Sequence, residues 1–370
     1  MTVRPVRTKA ELKRFIGFPY RLHRGDPMWV APLRMDVSNL LNRKTNPFFQ
    51  HAKAEYFLAE RDGEVVGRIA AIRNDAHGAV HTEEKHVGFF GFFETIDDQA
   101  VTNALFEAAA KWLKAEGLTV MRGPASFSTN DECGLLVEGF DTPPALMNPH
   151  HPRYYQKLVE AAGFTKAMDL LCYESTYTEP SERLMEGAQK MAERFKITLR
   201  GLDMKNFWRD VELVKELYNG AWELNWGFIP MTDAEMNHMA KQFKPVVVPE
   251  LVAFAFIGDK PIGMVLALPD FNTAFRHNPS GRLLTGLWHL LTKKKKIHRI
   301  RCLTLGVLKE YRRTGADALL YQWLWTKGRS LGYDWCDASW LLETNAAIIN
   351  GMKRLGFQEY QRLRMYDKAI

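Results

Sequence analysis

Apolar and polar positions alternate with a period of two and then shift to a helical period, and they do so in the same order in two parts of the chain. Phe57 to Arg73 reads FLAERDGEVVGRIAAIR, two β-rich runs joined by Asp62-Gly63, which is a hairpin signal. Ala253 to Leu268, AFAFIGDKPIGMVLAL, repeats it, with Gly263 where the first hairpin has Gly67. A short apolar strand with a glycine near its end follows each hairpin, GFFGFFE around Gly91 and RCLTLGV around Gly306, and each leads into a helical pattern. Both helices stop at a glycine, Gly117 and Gly332, in each case 26 residues beyond the strand glycine. Each part closes with a helix ending in Gly-Phe, at Gly163 and Gly356, and a last strand. Thr8 with Glu11 and Thr232 with Glu235 fit the capping box and are read as the starts of the two opening helices.

The pattern predicts one α/β unit written twice: helix, helix, hairpin, strand, helix, strand, helix, strand. The boundary falls near Glu179-Pro180-Ser181, where a strand gives way to a polar, proline-bearing turn. Domains are therefore expected at 1–178 and 179–370. Two unrelated α/β domains that happen to share element order are the alternative.

Composition narrows the class. A chain of 370 residues that is 46% hydrophobic has apolar surface for two full cores, which excludes a disordered or fibrous protein. No run reaches the roughly 18 apolar residues of a membrane span, and the start of the chain lacks the apolar centre of a signal peptide, so a cytoplasmic protein is expected. Cys133, Cys172, Cys302 and Cys336 form no C-x-x-C pair, and His150, His151 and Asp141 are not spaced as helical metal ligands. Neither a disulfide framework nor a metal is expected. The net charge of +7 is ordinary for an enzyme and does not imply nucleic acid.

Chemistry becomes specific after Gly306. The chain passes through Arg312, Arg313, Thr314 and Gly315 into a helix beginning at Ala316. A helix N-terminus offers unpaired N–H groups and the positive end of a dipole, a glycine lets an anion approach the backbone, and arginines add charge-assisted contacts. A pyrophosphate suits such a place. The segment resembles the GNAT superfamily of acyl-CoA N-acyltransferases, whose signature is a strand and then a loop [Gln/Arg]-x-x-Gly-x-[Gly/Ala] opening a helix. Arg312, Arg313, Thr314 and Gly315 match its first four positions, and Asp317 stands where the second glycine is found. The closing helix of the family, led by asparagine and ending in Gly-Phe, is matched by Asn345 to Phe357, with Met352 where a tyrosine is often present.

The resemblance implies two tandem GNAT-like domains, each a mixed central sheet flanked by helices. It implies a bound acetyl-CoA or longer acyl-CoA as co-substrate, held by Gly306, Val307, Leu308, Arg312, Arg313, Thr314, Gly315, Ala316 and Asn345. A backbone N–H within Gly306–Leu308 would polarise the thioester carbonyl. Glu343 is the candidate base and Tyr366 the candidate acid, against an exposed capping carboxylate and a packed edge tyrosine. The acceptor is a small-molecule or lipid amine held between the halves. A non-catalytic acyl-CoA or lipid-binding protein is the alternative, motivated by Asp317 and Met352.

The first half departs from this site. Arg312 and Arg313 correspond to Asp97 and Asp98, and Gly315 to Ala100, so phosphate contacts become repulsion and the first half reads as a degenerate copy that shapes the cleft. It also carries a longer polar stretch between Gly117 and Gly163, where Asn130, Asp131 and Glu132 are read either as contacts for a cationic amine or as solvated loop residues. Residues 283–301 form the last distinctive segment. Leu283, Leu284, Leu287, Trp288, Leu290 and Leu291 make an apolar face beside Lys293–Lys296, Arg299 and Arg301. This fits contact with an anionic membrane surface or capture of a lipid, the alternative being a helix that covers a sheet edge.

Overall fold

The computed structural model describes residues 1–176, 181–222 and 225–370. The first part runs β1 (Thr2–Pro5), α1 (Lys9–Leu22), α2 (Arg34–Leu40), β2 (Ala52–Arg61), β3 (Glu64–Asn74), α3 (Asp75–Val80), β4 (Val87–Thr95), α4 (Gln99–Ala115), β5 (Val120–Gly123), β6 (Leu135–Glu138), α5 (Tyr154–Ala161) and β7 (Thr165–Ser175). The second runs α6 (Glu182–Phe195), β8 (Ile197–Gly201), α7 (Phe207–Trp222), α8 (Asp233–Phe243), β9 (Val252–Ile257), β10 (Lys260–Pro269), α9 (Asn272–Phe275), α10 (Leu283–Lys293), β11 (Arg299–Val307), α11 (Ala316–Ser330), β12 (Trp335–Leu342), α12 (Ala346–Arg354) and β13 (Gln358–Ala369). Of the expected boundary, Glu179 and Pro180 lie outside the described residues.

The repeated order is present, with one strand more at each start. β1 pairs antiparallel with β2, and β8 with β9, so a short edge strand precedes the two helices that lead to each hairpin. This changes the reading of the capping boxes. Both are formed, but Thr8 starts α1 whereas Thr232 starts α8, the second helix after β8. The motif marks any helix start and carries no information on which helix it opens.

Packing divides the chain into two compact units, Met1–Leu171 with Ala274–Lys294 and Tyr360–Ile370, and Cys172–Thr273 with Lys295–Glu359. In the first, the sheet order is β1-β2-β3-β4-β5-β13-β7, and β6 pairs with β13. The β4/β5 pair is parallel and its neighbours antiparallel. Thus β13, last in the chain, is inserted between β5 and β7 of the first unit. Arg122 on β5 fixes it there, its guanidinium donating to both Asp367 oxygens at 2.8 and 2.9 Å and to Glu84 at 2.8 Å. The core of this unit is built on α4, whose Val101, Leu105, Phe106, Ala109 and Leu113 pack on Phe90 and Phe93 of β4.

The second unit has the order β12-β11-β10-β9-β8, again with one parallel pair, β11/β12. Here α7 covers one face through Leu217, against Val252, Phe254 and Met264. On α11, Leu319 meets Ala188 and Ala192 of α6. Fully buried Asp210 of α7 receives Arg200 of β8 at 2.7 and 2.8 Å and the Asp203 N–H at 2.9 Å. Burial alone would push its carboxyl up, but these donors bring it below the usual carboxylate range.

Candidate functional site

The parallel pair β11/β12 holds register only from Arg299–Trp335 to Cys302–Ala338. Beyond that point β11 runs on to Val307, bonded to β10 on its other side, while β12 runs on to Leu342. Two parallel strands that cease to pair leave a wedge, and the mouth of this wedge leads directly into α11. Gly315 is the N-cap residue of α11 at φ 81°, a conformation that costs other residues strain, and no side chain caps the helix. Its first N–H groups therefore lack helical partners and lie at the positive end of the dipole, which favours negative charge.

The predicted phosphate residues differ in what they do. Arg313 is exposed and left-handed, at φ 73°. Arg312 folds back, its guanidinium donating to the Ala221 carbonyl at 3.0 Å and the Val307 carbonyl at 3.5 Å. The buried Thr314 hydroxyl donates to the Tyr311 carbonyl at 2.7 Å and pins the turn. Ala316 is buried beneath the helix start, and Asp317 is exposed in the first turn. On the strand, the Leu308 N–H donates to the Ile262 carbonyl at 2.8 Å. At Gly306 an added Cβ would lie 2.3 Å from the Trp222 ring, so glycine is required for α7 to roof the strand end.

The other arm of the wedge carries Glu343, half-buried in the turn after β12, and Asn345, whose side chain accepts the Ile348 N–H at 3.3 Å and caps α12. Tyr366 is placed in the core of the first unit. Its hydroxyl donates to Glu160 at 2.9 Å, and burial followed by that carboxylate pushes its pKa up. The fold thus gathers Gly306 to Ala316 around one mouth and sets Glu343 and Asn345 after the opposing strand.

In the first unit the equivalent wedge is filled by the chain itself. After the last β4/β5 pair, Phe89–Arg122, the Ala125 N–H donates to the Phe90 carbonyl at 2.8 Å, and Ala125 bridges to Cys133. Fully buried Phe127 of this hairpin stacks on Phe48 at 4.8 Å and meets Phe92 of β4 edge-on at 5.1 Å. The helix start is closed too: Asp98 accepts the N–H groups of Ala100 and Val101 at 2.8 and 3.3 Å and pairs with Arg61 at 2.7 Å. A Cβ on Gly91 would sit 2.0 Å from the Ala125 carbonyl oxygen. Because backbone must move to admit it, Gly91→Ala should cost about 3 kcal/mol, read as a lower midpoint in urea unfolding. An unchanged midpoint would contradict the filled wedge.

Two features escaped the sequence reading. Trp222 over Gly306 follows from packing between distant segments. The other is a buried polar group in the first unit: Glu94 accepts Tyr155 at 2.6 Å and meets His23 at 2.9 Å, with Arg68 at 3.8 Å. Burial pushes the Glu94 carboxyl up, but the charges of His23 and Arg68 outweigh it and hold it at about 2. A lone carboxylate inside the run VGFFGFFET was the available signal.

No family model matches the chain. It is 40% identical to the "Bacterial ceramide synthase" of Caulobacter vibrioides over 377 residues, covering 100% of this chain and 98% of that protein. It is 34% identical to "Protein YghO" of Escherichia coli over 380 residues, covering 100% and 95%. Among solved structures it resembles a tandem GNAT protein from the clavulanic acid biosynthesis pathway, with a TM-score of 0.58 at 12% identity over 100% and 98% of the two chains. A GCN5-related N-acetyltransferase from Sphaerobacter thermophilus gives 0.55 at 13% identity over 100% and 95%. The structural likenesses carry the fold.

Proposed function

We propose that this chain, which belongs to the family of the bacterial ceramide synthase and has a tandem GNAT fold, moves an acyl group from acyl-CoA to a lipid-like amine such as a sphingoid base. Identity of 40% across the whole chain carries the acceptor class. The uncapped, glycine-led start of α11 supports the donor: free N–H groups and Arg313 suit the pyrophosphate of acyl-CoA, and the wedge beside it accommodates the thioester arm. Peripheral membrane contact through residues 283–301 belongs to the same reading.

The reaction needs a neutral amine, a polarised carbonyl and a proton for the departing sulfur. The backbone N–H of Val307 is the proposed donor to the carbonyl oxygen, since that of Leu308 is engaged by Ile262 and that of Gly306, two residues back in the same antiparallel register, faces Met264 on β10. Glu343 is the proposed base that takes the ammonium proton. The amine nitrogen then attacks the thioester carbon, the C–S bond breaks as the amide forms, and the departing thiolate takes up the proton that the nitrogen loses.

Incubation with acyl-CoA donors from acetyl to long-chain and a panel of amines, followed by free thiol, tests this. Thiol release dependent on a long-chain amine is the expected result. Saturable acyl-CoA binding without release would favour a non-catalytic binding protein.

A further inference from the structure

We propose that α10 is an interfacial helix that seats the protein on an anionic bilayer, the Leu284, Leu287, Trp288 and Leu291 stripe entering the lipid and Lys293–Lys296 meeting the headgroups. The four apolar side chains are 81%, 44%, 65% and 76% exposed. Their spacing of three, one and three residues puts them on one side of the helix.

The opposite side is firmly docked. A Cβ on buried Gly286 would meet Leu33 at 2.7 Å and Asn278 at 3.1 Å, so the helix lies close on the first unit. Buried Asn278 donates to the Arg282 carbonyl at 2.9 Å, and Arg34 donates to the Ser280 carbonyl at 2.8 Å, fixing the approach to the helix. The stripe is therefore the outward side of a helix whose packing is complete. Patches of this kind on a folded protein mark a docking surface.

Charge selects the occupant. Residues 271–301 contain no aspartate or glutamate, and Lys294, Lys295 and Lys296 are exposed, as are Arg276 and Arg282 on the approach to α10. Arg299 and Arg301 face Asp270 and Asp337, which offset their charge. A second copy docked through the same stripe would bring its own lysines and meet repulsion, whereas an anionic surface neutralises them. With 11 residues α10 is about half the length of a membrane span, so it lies in the plane of the interface.

This inference deepens the lipid-acceptor reading but is tested by binding, without turnover. In flotation with phosphatidylcholine/phosphatidylglycerol vesicles the wild-type chain should rise with the lipid, and should do so far less with phosphatidylcholine alone. Replacing Lys293–Lys296 by glutamine should weaken binding about five-fold per lysine, and high salt should mimic that loss. The variant L284E/W288E/L291E should stay at the bottom while keeping the wild-type circular dichroism and melting profile. It should also retain thiol release with a detergent-dispersed amine. Absence of wild-type flotation, equal flotation on neutral vesicles, or flotation of the triple variant would each overturn the proposal. A wild-type dimer that the triple variant dissolves, without lipid binding, would assign the stripe to a second copy instead. Flotation without any thiol release would sink the acyl-transfer reading alone.

Discussion

Free coenzyme A should bind an Arg313→Glu variant at least a hundredfold more weakly than the wild type in titration calorimetry, at an unchanged melting temperature. Arg313 is exposed and stands at φ 73° in the turn before α11, so its replacement by another long polar side chain disturbs no packed neighbour. A charge-assisted hydrogen bond contributes about 1.5–3 kcal/mol, and a carboxylate in its place adds repulsion from the phosphates. Together these reach about 3 kcal/mol, or two powers of ten in affinity. Arg312 is the less informative target, since it also holds the Ala221 carbonyl and its removal loosens the end of α7. Wild-type affinity in the Arg313 variant would place the pyrophosphate elsewhere.

Acid should destabilise the protein through His151. Its ring is half-buried, its Nδ1 accepts the Leu136 N–H at 3.2 Å, and desolvation lowers its pKa from 6.5 to about 3 against the opposing pull of Glu94. The unfolded chain takes up a proton below pH 6.5 that the folded chain refuses until about 3, so stability is lost as pH falls through that window. Between pH 7 and 5 the loss is about 2 kcal/mol from this one group. Glu94 acts in the same direction lower down, its stabilisation vanishing as pH falls from 4.5 to about 2. Urea unfolding at both pH values checks this. In His151→Asn an amide oxygen replaces the accepting nitrogen and cannot be protonated in this range, so the difference between pH 7 and 5 should shrink by the stated amount. The same dependence in both proteins would show that His151 titrates normally.

How much of this was readable beforehand depends on how local each signal is. Both hairpins stand where Asp62-Gly63 and Gly258-Asp259 place them, with Asp62, Gly63 and Gly258 at positive φ, because a two-residue turn is written in adjacent residues. The glycine-led start of α11 was equally legible, since motif and conformation share one short segment. The short strands β1, β6 and β8 were not, because their pairing partners are distant and a few residues carry little periodicity. For the long polar stretch after Gly117 the sequence leaves open contacts for a cationic amine or solvated loop residues. What the structure adds is a hairpin laid along β4, a role that depends on Phe127 finding Phe48 and Phe92, and these lie far away in sequence. The individual roles of Arg312, Thr314 and Asn345, each with a protein partner, depend in the same way on geometry that a motif does not encode.

The placement of β13 beside β5 bears on synthesis. A ribosome that has released residues 1–176 has made every other strand of the first sheet, yet the edge of β5 stays bare until residues 360–370 emerge. During that interval an open strand edge is a template for wrong partners, including neighbouring nascent chains. Arg122, poised for Asp367 on the late-arriving strand, rewards the correct one.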